Sequence, residues 1–292
     1  MQNINCKKNF LTSSLLSCAF SICILCGCHQ FSDKELDNLF KIGLNLQKDR
    51  KYADAVEYYD KILKQTPNDC NVLFNKAMCL SMISKNKDAL HILQRCIKYY
   101  PDQSIYHVHA AGCALQLWQL QEALAHAKDG IATAKNKREK LMALSKLSDI
   151  YYAMDQPRHY MKLLEECVEL DPYDDVITSN YIVMLLECPN HELRNLLKAQ
   201  KLSERLVDKC KDSPRAWFAL EKVLLASGDV VRAKEANQRA LEVLKEEDNM
   251  PLYMETDHQL STKDCTSWVS LRQLVERSSM RYNKTSSVPP RQ

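Results

Sequence analysis

The sequence predicts an all-α chain built from repeated helical hairpins, and three observations lead there. Only five glycines (Gly27, Gly43, Gly112, Gly130 and Gly228) occur in 292 residues, too few for a many-turned all-β fold or a glycine-rich phosphate loop. Leu, Ala, Lys and Glu dominate, a mixture that favours helix. Ala55, Ala89 and Ala123 recur at a spacing of 34, as do Pro67 and Pro101. A bundle of unrelated amphipathic helices has no such period.

The chain opens on Lys7 and Lys8, followed by an uncharged, mostly apolar stretch from Phe10 to Gly27, the layout of a secretory signal peptide. It ends Leu25-Cys26-Gly27-Cys28, which resembles the lipobox of bacterial lipoproteins, with Cys26 where that family usually has Ala, Ser, Thr or Val. The resemblance implies that residues 1–27 are removed, that Cys28 carries the lipid and that 28–35 form a short linker. His29 follows where an aspartate would retain many lipoproteins in the inner membrane, so the periplasmic face of the outer membrane is the expected address. An ordinary signal peptide cut elsewhere and an uncleaved anchor are the alternatives.

From Asp33 onward small and large residues alternate at the 34-residue period. The first unit, 36–69, carries Leu39, Ile42, Gly43 and Leu46, then Tyr52, Ala55, Tyr59, Ile62 and Pro67. The second, 70–103, carries Leu73, Asn75, Ala77, Leu80, Ala89, Leu93, Cys96 and Pro101; the third, 104–137, keeps Ala110, Ala111, Ala114 and Ala123. Three extra residues precede the fourth, 141–174, with Leu144, Leu147, Ser148, Tyr151, Leu164, Cys167 and Pro172. The fifth, 175–213, has its turn swollen at Cys188 to Glu192, and the sixth, 214–247, holds Trp217, Leu220, Leu224, Ala233 and Ala240.

This pattern resembles the tetratricopeptide repeat family. The resemblance implies a right-handed α-solenoid of about six helical hairpins, each burying too little alone and stable only when stacked. Small residues such as Gly43, Ala55 and Ala77 let paired helices approach closely, and Pro67, Pro101 and Pro172 end second helices. Asp33, Asn68 and Asp102 are expected to cap the helices that follow them. Trp268, Leu271, Leu274 and Val275 share one helical face within a capping segment at 248–279, and 280–292 form a polar, disordered tail.

The net charge is +3, to which Lys7 and Lys8 contribute two. Basic residues are spread along the chain among acids, and even the densest run, Lys135-Asn136-Lys137-Arg138-Glu139-Lys140, is expected to be a solvated helix face, so nucleic acid is not expected. Of thirteen cysteines, five lie at or before Cys28 and the others form no Cys-x-x-Cys. Cys79, Cys96, Cys113 and Cys167 fall in repeat slots that ask for small buried side chains. Cys188 and Cys210 lie roughly 30 Å apart along a helix and cannot pair, while Cys210 with Cys265 stays open. His107 and His109 point to different sides of one helix, so with His126 they read as scattered histidines. No metal, cofactor or small-molecule substrate is expected, and no catalytic triad, zinc-protease or paired-carboxylate motif is present.

In the family the first helices line a concave groove for a peptide. Carried over, its slots are Phe40, Leu44, Phe74, Asn75, Met78, Met82, Val108, Leu115 and Tyr152, a mostly apolar set, with Phe40 and Phe74 as foremost contacts. The carboxylate clamp of some cochaperones is not reproduced: Phe40, Leu44, Ile105 and His109 stand at its positions and only Asn75 fits. The expected partner is a protein or peptide with an apolar or amphipathic segment. The expected function is that of a non-enzymatic, lipid-anchored scaffold, similar to repeat lipoproteins that serve as pilotins or as assembly factors for secretion, pilus or envelope machinery. A soluble or signal-anchored adaptor or cochaperone without lipid is the alternative. An enzyme would need its site within 248–292.

Overall fold

The computed structural model describes residues 30–248, with side chains as far as Leu244. These form twelve α-helices arranged as six consecutive hairpins, and no strand occurs among the described residues. The first hairpin is α1 (Asp33–Lys48) with α2 (Tyr52–Gln65), and the second α3 (Cys70–Met82) with α4 (Asn86–Tyr99). The third is α5 (Ser104–Gln116) with α6 (Leu120–Ala132), the fourth α7 (Lys137–Ala153) with α8 (Pro157–Leu170). The fifth pairs α9 (Asp175–Glu187) with α10 (Leu196–Lys209), and the sixth α11 (Pro214–Ser227) with α12 (Val230–Asp248). Each helix packs on its chain neighbour, and the first helices α3, α5 and α7, like α9 and α11, touch in succession. The result is an α-solenoid.

Two chemistries start these helices. Most of the first helices begin at a short polar side chain that accepts from exposed backbone N–H groups. Ser32 does so for α1 in a capping box with Glu35, Asp69 for α3, Asn136 for α7, Asp174 for α9 and Ser213 for α11. Three expected caps are thereby corrected. Ser32 replaces Asp33, Asp69 replaces Asn68, and α5 starts at Gln103 with no side-chain cap in place of Asp102. The extended backbone that a cap needs falls at those neighbouring residues, and Asn68 instead accepts from Arg95.

Helices α2, α4, α6 and α8 start at Lys51, Lys85, Gln119 and Gln156, none with a side-chain cap. Their N–H groups are used by the preceding helix. Lys51 donates to Leu46 O, Lys85 to Leu80 O, Gln119 to Ala114 O and Gln156 to Tyr151 O, at 2.8 to 3.0 Å. This is the helix-ending arrangement in which the second residue past the cap bonds the carbonyl five residues back, and it requires a left-handed residue between. Arg50, Ser84, Trp118 and Asp155 fill that place with φ of 60°, 63°, 58° and 53°, and Gly228 fills it in the sixth hairpin at 85°. The 34-residue period of the sequence thus reappears as a backbone torsion.

The fifth turn departs from this. Asn195 N–H reaches back to Leu185 O at 2.8 Å, enclosing a 3₁₀ turn at His191–Leu193, and the Asn195 side chain caps α10. The three residues expected as an insertion before 141 are not a loop. They extend α7 backward to Lys137 because Asn136 caps it there.

The core crosses the repeat boundaries. One buried cluster runs from Cys70 to Ile150 and a second from Leu144 to Ala236, so adjacent hairpins share apolar surface, as stacked repeats must. Cys70, Cys79, Cys96, Cys113, Cys167 and Cys188 are buried free thiols and Cys210 is a partly exposed one. Burial pushes the Cys79, Cys96 and Cys167 thiols up to about 12. Cys265 and the expected capping face at Trp268 lie outside the described residues, as do the tail and Cys28.

Candidate functional site

A groove of about 550 Å³ crosses the inner face of the second to fifth hairpins. Its wall is built from α3, α5, α7 and α9, with Tyr160 and Leu164 of α8 at its floor. Of the residues expected to face a ligand, Met78, Met82, Val108, Leu115 and Tyr152 line it. Among them Val108 is almost wholly buried, 3% exposed, and offers little surface, whereas Tyr152 is 65% exposed and rests one ring edge on Tyr160, 5.1 Å between centroids.

Phe40, Leu44, Phe74 and Asn75 do not line the groove. Phe40 leans on Tyr59 at 5.9 Å and belongs to the core of the first hairpin. Phe74 is wedged against Tyr106 at 5.5 Å and His109 at 5.2 Å, bridging α3 to α5. Leu44 is half-buried on α1, beyond the end of the groove, and Asn75 turns its amide back to Asn71 O at 2.8 Å. An aromatic at the position of Phe40 or Phe74 can fill the gap to a neighbouring helix, and burial there outweighs exposure to a ligand.

The groove is also less apolar than the sequence led us to expect. Lys146 and Asp149 of α7 form an ion pair of 2.8 Å on its wall, near Ser145, Ser148, His109 and Asn180. Desolvation, reinforced by the Lys146 ammonium, lowers the pKa of His109 to about 4, so its imidazole is neutral at pH 7 and adds a polar but uncharged edge.

Among the lining residues that the sequence did not point to, Trp118 is the large exposed aromatic. It is 73% exposed, the most exposed of the large apolar side chains on this wall. A signal was present: Trp118 stands 34 residues after Ser84 and 68 after Arg50, in a turn slot otherwise filled by polar residues or glycine. The groove therefore has apolar strips, Met78 with Met82 and Leu115 with Trp118 and Tyr152, beside a charged and hydroxylated strip on α7. Such a surface suits an amphipathic segment better than a uniformly apolar one.

Hairpins of this length, stacked in order with small residues at the closest approach, define the molecule as an array of tetratricopeptide-type repeats. Comparison with known proteins agrees. A family profile described as "Anaphase-promoting complex, cyclosome, subunit 3" matches residues 48–130. Hsp70-Hsp90 organizing protein 1 of Glycine max is 24% identical over 111 residues, 38% of this chain and 19% of that protein. The corresponding protein of Triticum aestivum is 21% identical over 111 residues. The match spans about a fifth of the length of those relatives. Among solved structures, PilF of Pseudomonas aeruginosa aligns with a TM-score of 0.59 at 13% identity, covering 76% of this chain and 96% of that one. The C-terminal part of a TPR repeat-containing protein from Cytophaga hutchinsonii gives 0.53 at 13% identity, covering 71% and 80%. These likenesses support the fold.

Proposed function

We propose that the chain is a non-enzymatic scaffold whose inner groove holds an amphipathic segment of a partner protein. Repeats of this type generally mediate protein–protein interaction. The observation that carries the reading here is the pairing of exposed Trp118 and Tyr152 with the Lys146–Asp149 strip on one continuous wall. Large exposed aromatics at a groove are the side chains that anchor partners, because they supply apolar area at little entropic cost. Met78 and Met82 give that wall a surface able to repack around different ligands.

We further propose that the scaffold is tethered by lipid on Cys28, at the periplasmic face of an outer membrane, and serves assembly of an envelope, secretion or pilus complex in the manner of a pilotin. The support is the lipobox-like sequence at Leu25 to Cys28 and the way the chain enters the fold. Phe31 exchanges two hydrogen bonds with Gln65, N–H to Oε1 at 2.9 Å and Nε2 to the Phe31 carbonyl at 2.8 Å. Only two residues, His29 and Gln30, would then separate the lipidated Cys28 from Phe31 and its fixed point on α2, a reach of about 10 Å over three residue steps. The array would work close against the membrane surface. Among the described residues no helix is long and apolar enough to cross a membrane.

The similarity to Hsp70-Hsp90 organizing proteins favours a second reading, a soluble or signal-anchored cochaperone-like adaptor. Against a carboxylate clamp stand Phe40, packed on Tyr59, and Asn75, whose amide is already engaged by its own helix. One set of measurements separates the readings. Crosslinking pull-down with Trp118→Ala/Tyr152→Ala should recover at least tenfold less partner while the helical circular dichroism stays intact. Cys28→Ser should release the protein from membranes if the lipid anchors it, and unchanged partition would favour the adaptor. Undiminished capture by the double variant would remove the groove from the function.

A further inference from the structure

His107 of α5 and His126 of α6 meet inside the third hairpin, with ring centroids 5.8 Å apart and planes at 52°. Gly130 of α6 packs against this stretch of α5: a Cβ there would stand 3.2 Å from Val108 Cγ2 and 3.6 Å from His107 Cβ. His107 and His109 do part company, as their spacing requires: His109 goes to Phe74 and the groove, His107 to α6. The two histidines that converge are nineteen residues apart in sequence, 107 and 126.

His107 is 6% exposed, and its Nε2 lies 2.9 Å from the Pro101 carbonyl oxygen. A carbonyl only accepts, so Nε2 carries the hydrogen, and Nδ1 of the neutral ring is left with a bare lone pair. That Nδ1 is buried with no hydrogen-bond partner, and so is Nδ1 of His126. The charged group facing His107 Nδ1 is Asp129 Oδ2, 3.9 Å away and also an acceptor. A buried lone pair turned on a carboxylate, as at His107, is costly unless something electropositive joins them.

We propose that His107, His126 and Asp129 form a binding site for a divalent transition-metal ion of the zinc class. One ligand atom from each residue lies within 4.8 Å of the other two. Imidazole nitrogens with a carboxylate suit zinc, nickel and cobalt rather than calcium or magnesium, which take oxygen ligands. The Nε2–H to carbonyl bond of His107 is the outer hydrogen bond that fixes tautomer and ring orientation in metal-bound histidines. Closing to tetrahedral zinc, with bonds of about 2.0–2.1 Å, needs the donors to draw together by roughly 1 Å. Asp129 is 61% exposed on its side chain and free to make that movement, and Glu122, 3.9 Å from His126 Nε2, is placed to orient that ring from its other nitrogen. Desolvation and the neighbouring His107 lower the pKa of His126, which keeps it in the neutral form that metals take. A bound ion would clamp α5 to α6 at the hairpin on which the groove turns.

The test uses full-length protein titrated with Co²⁺ and then competed with Zn²⁺. The wild type should bind about one equivalent and give visible d–d absorption without a near-ultraviolet thiolate-to-cobalt band, which separates this site from the cysteines. Asp129→Asn and His126→Gln, with wild-type helical circular dichroism, should each weaken Co²⁺ at least tenfold. Asp129→Asn keeps shape at an exposed position, so its folding is secure even where a histidine variant fails. No d–d spectrum, a thiolate band alone, or equal binding by the Asp129→Asn variant would overturn the proposal.

Discussion

A methyl group on Gly43 would stand 2.7 Å from Cε1 of the Tyr59 ring, a distance that side-chain carbons do not adopt. Tyr59 cannot yield, since it is fully buried and its hydroxyl donates to Gln47 Oε1 at 3.0 Å. The same pair of slots one period later holds Ala77 with Leu93, and one period after that Ala111 with Ala127, all buried. The first hairpin fits a large ring only because its partner position has no side chain.

Gly43→Ala should therefore destabilise the array by about 1–3 kcal/mol through overpacking. Combined with Tyr59→Leu it recreates the Ala77 and Leu93 arrangement, and the double variant should be more stable than the two single effects sum to, by about 1 kcal/mol. Urea unfolding of the four proteins measures this cycle. Simple additivity would mean the two positions do not compete for volume.

The left-handed turn positions invite the opposite change. Ser84→Gly removes a side chain from φ of 63° and should stabilise by roughly 0.5–1 kcal/mol, the steric relief exceeding the added unfolded-state entropy. Gly228→Ala, at φ of 85° with open space around it, should lose about 1 kcal/mol from backbone strain alone. Thermal unfolding midpoints moving in opposite directions would bear this out.

The pKa of His109 falls from 6.5 to about 4 on folding. The unfolded chain then takes up a proton between those values and the folded chain does not, so stability is fully present above pH 6.5 and is lost as pH falls toward 4. The shift corresponds to about 3 kcal/mol at most, and because one edge of the ring opens to the groove a loss on the order of 1–2 kcal/mol is expected. His109→Gln should flatten the stability profile between pH 6.5 and 4 relative to wild type. A profile of unchanged slope would mean His109 titrates alike in both states.

Thiols held up at about 12 are almost entirely protonated at pH 8 and are poor nucleophiles. Native iodoacetamide labelling should leave Cys79, Cys96 and Cys167 unmodified while Cys210, partly exposed with its thiol donating to Tyr173 O at 3.4 Å, reacts first of the seven described thiols. Peptide mass spectrometry reads the order. Early modification of Cys96 would indicate local opening of the second hairpin.

The period of Ala55, Ala89 and Ala123, and the small and large slots around it, determined the hairpins, their stacking and the burial of cysteines such as Cys79 and Cys96. Repeats are legible in one dimension because each hairpin meets only its neighbours, so local spacing dictates the contacts it makes. What the spacing left undecided depends on where a side chain goes once two helices cross. Phe40 and Phe74 turned into the gaps between helices, Lys146 and Asp149 brought charge onto a wall expected to be apolar, and caps fell at Ser32 and Asp69 where the backbone was extended. The meeting of His107 with His126 was decided in the same way. The pairing of α5 with α6, packed closely where Gly130 meets Val108, makes neighbours of two histidines that stand nineteen residues apart along the chain.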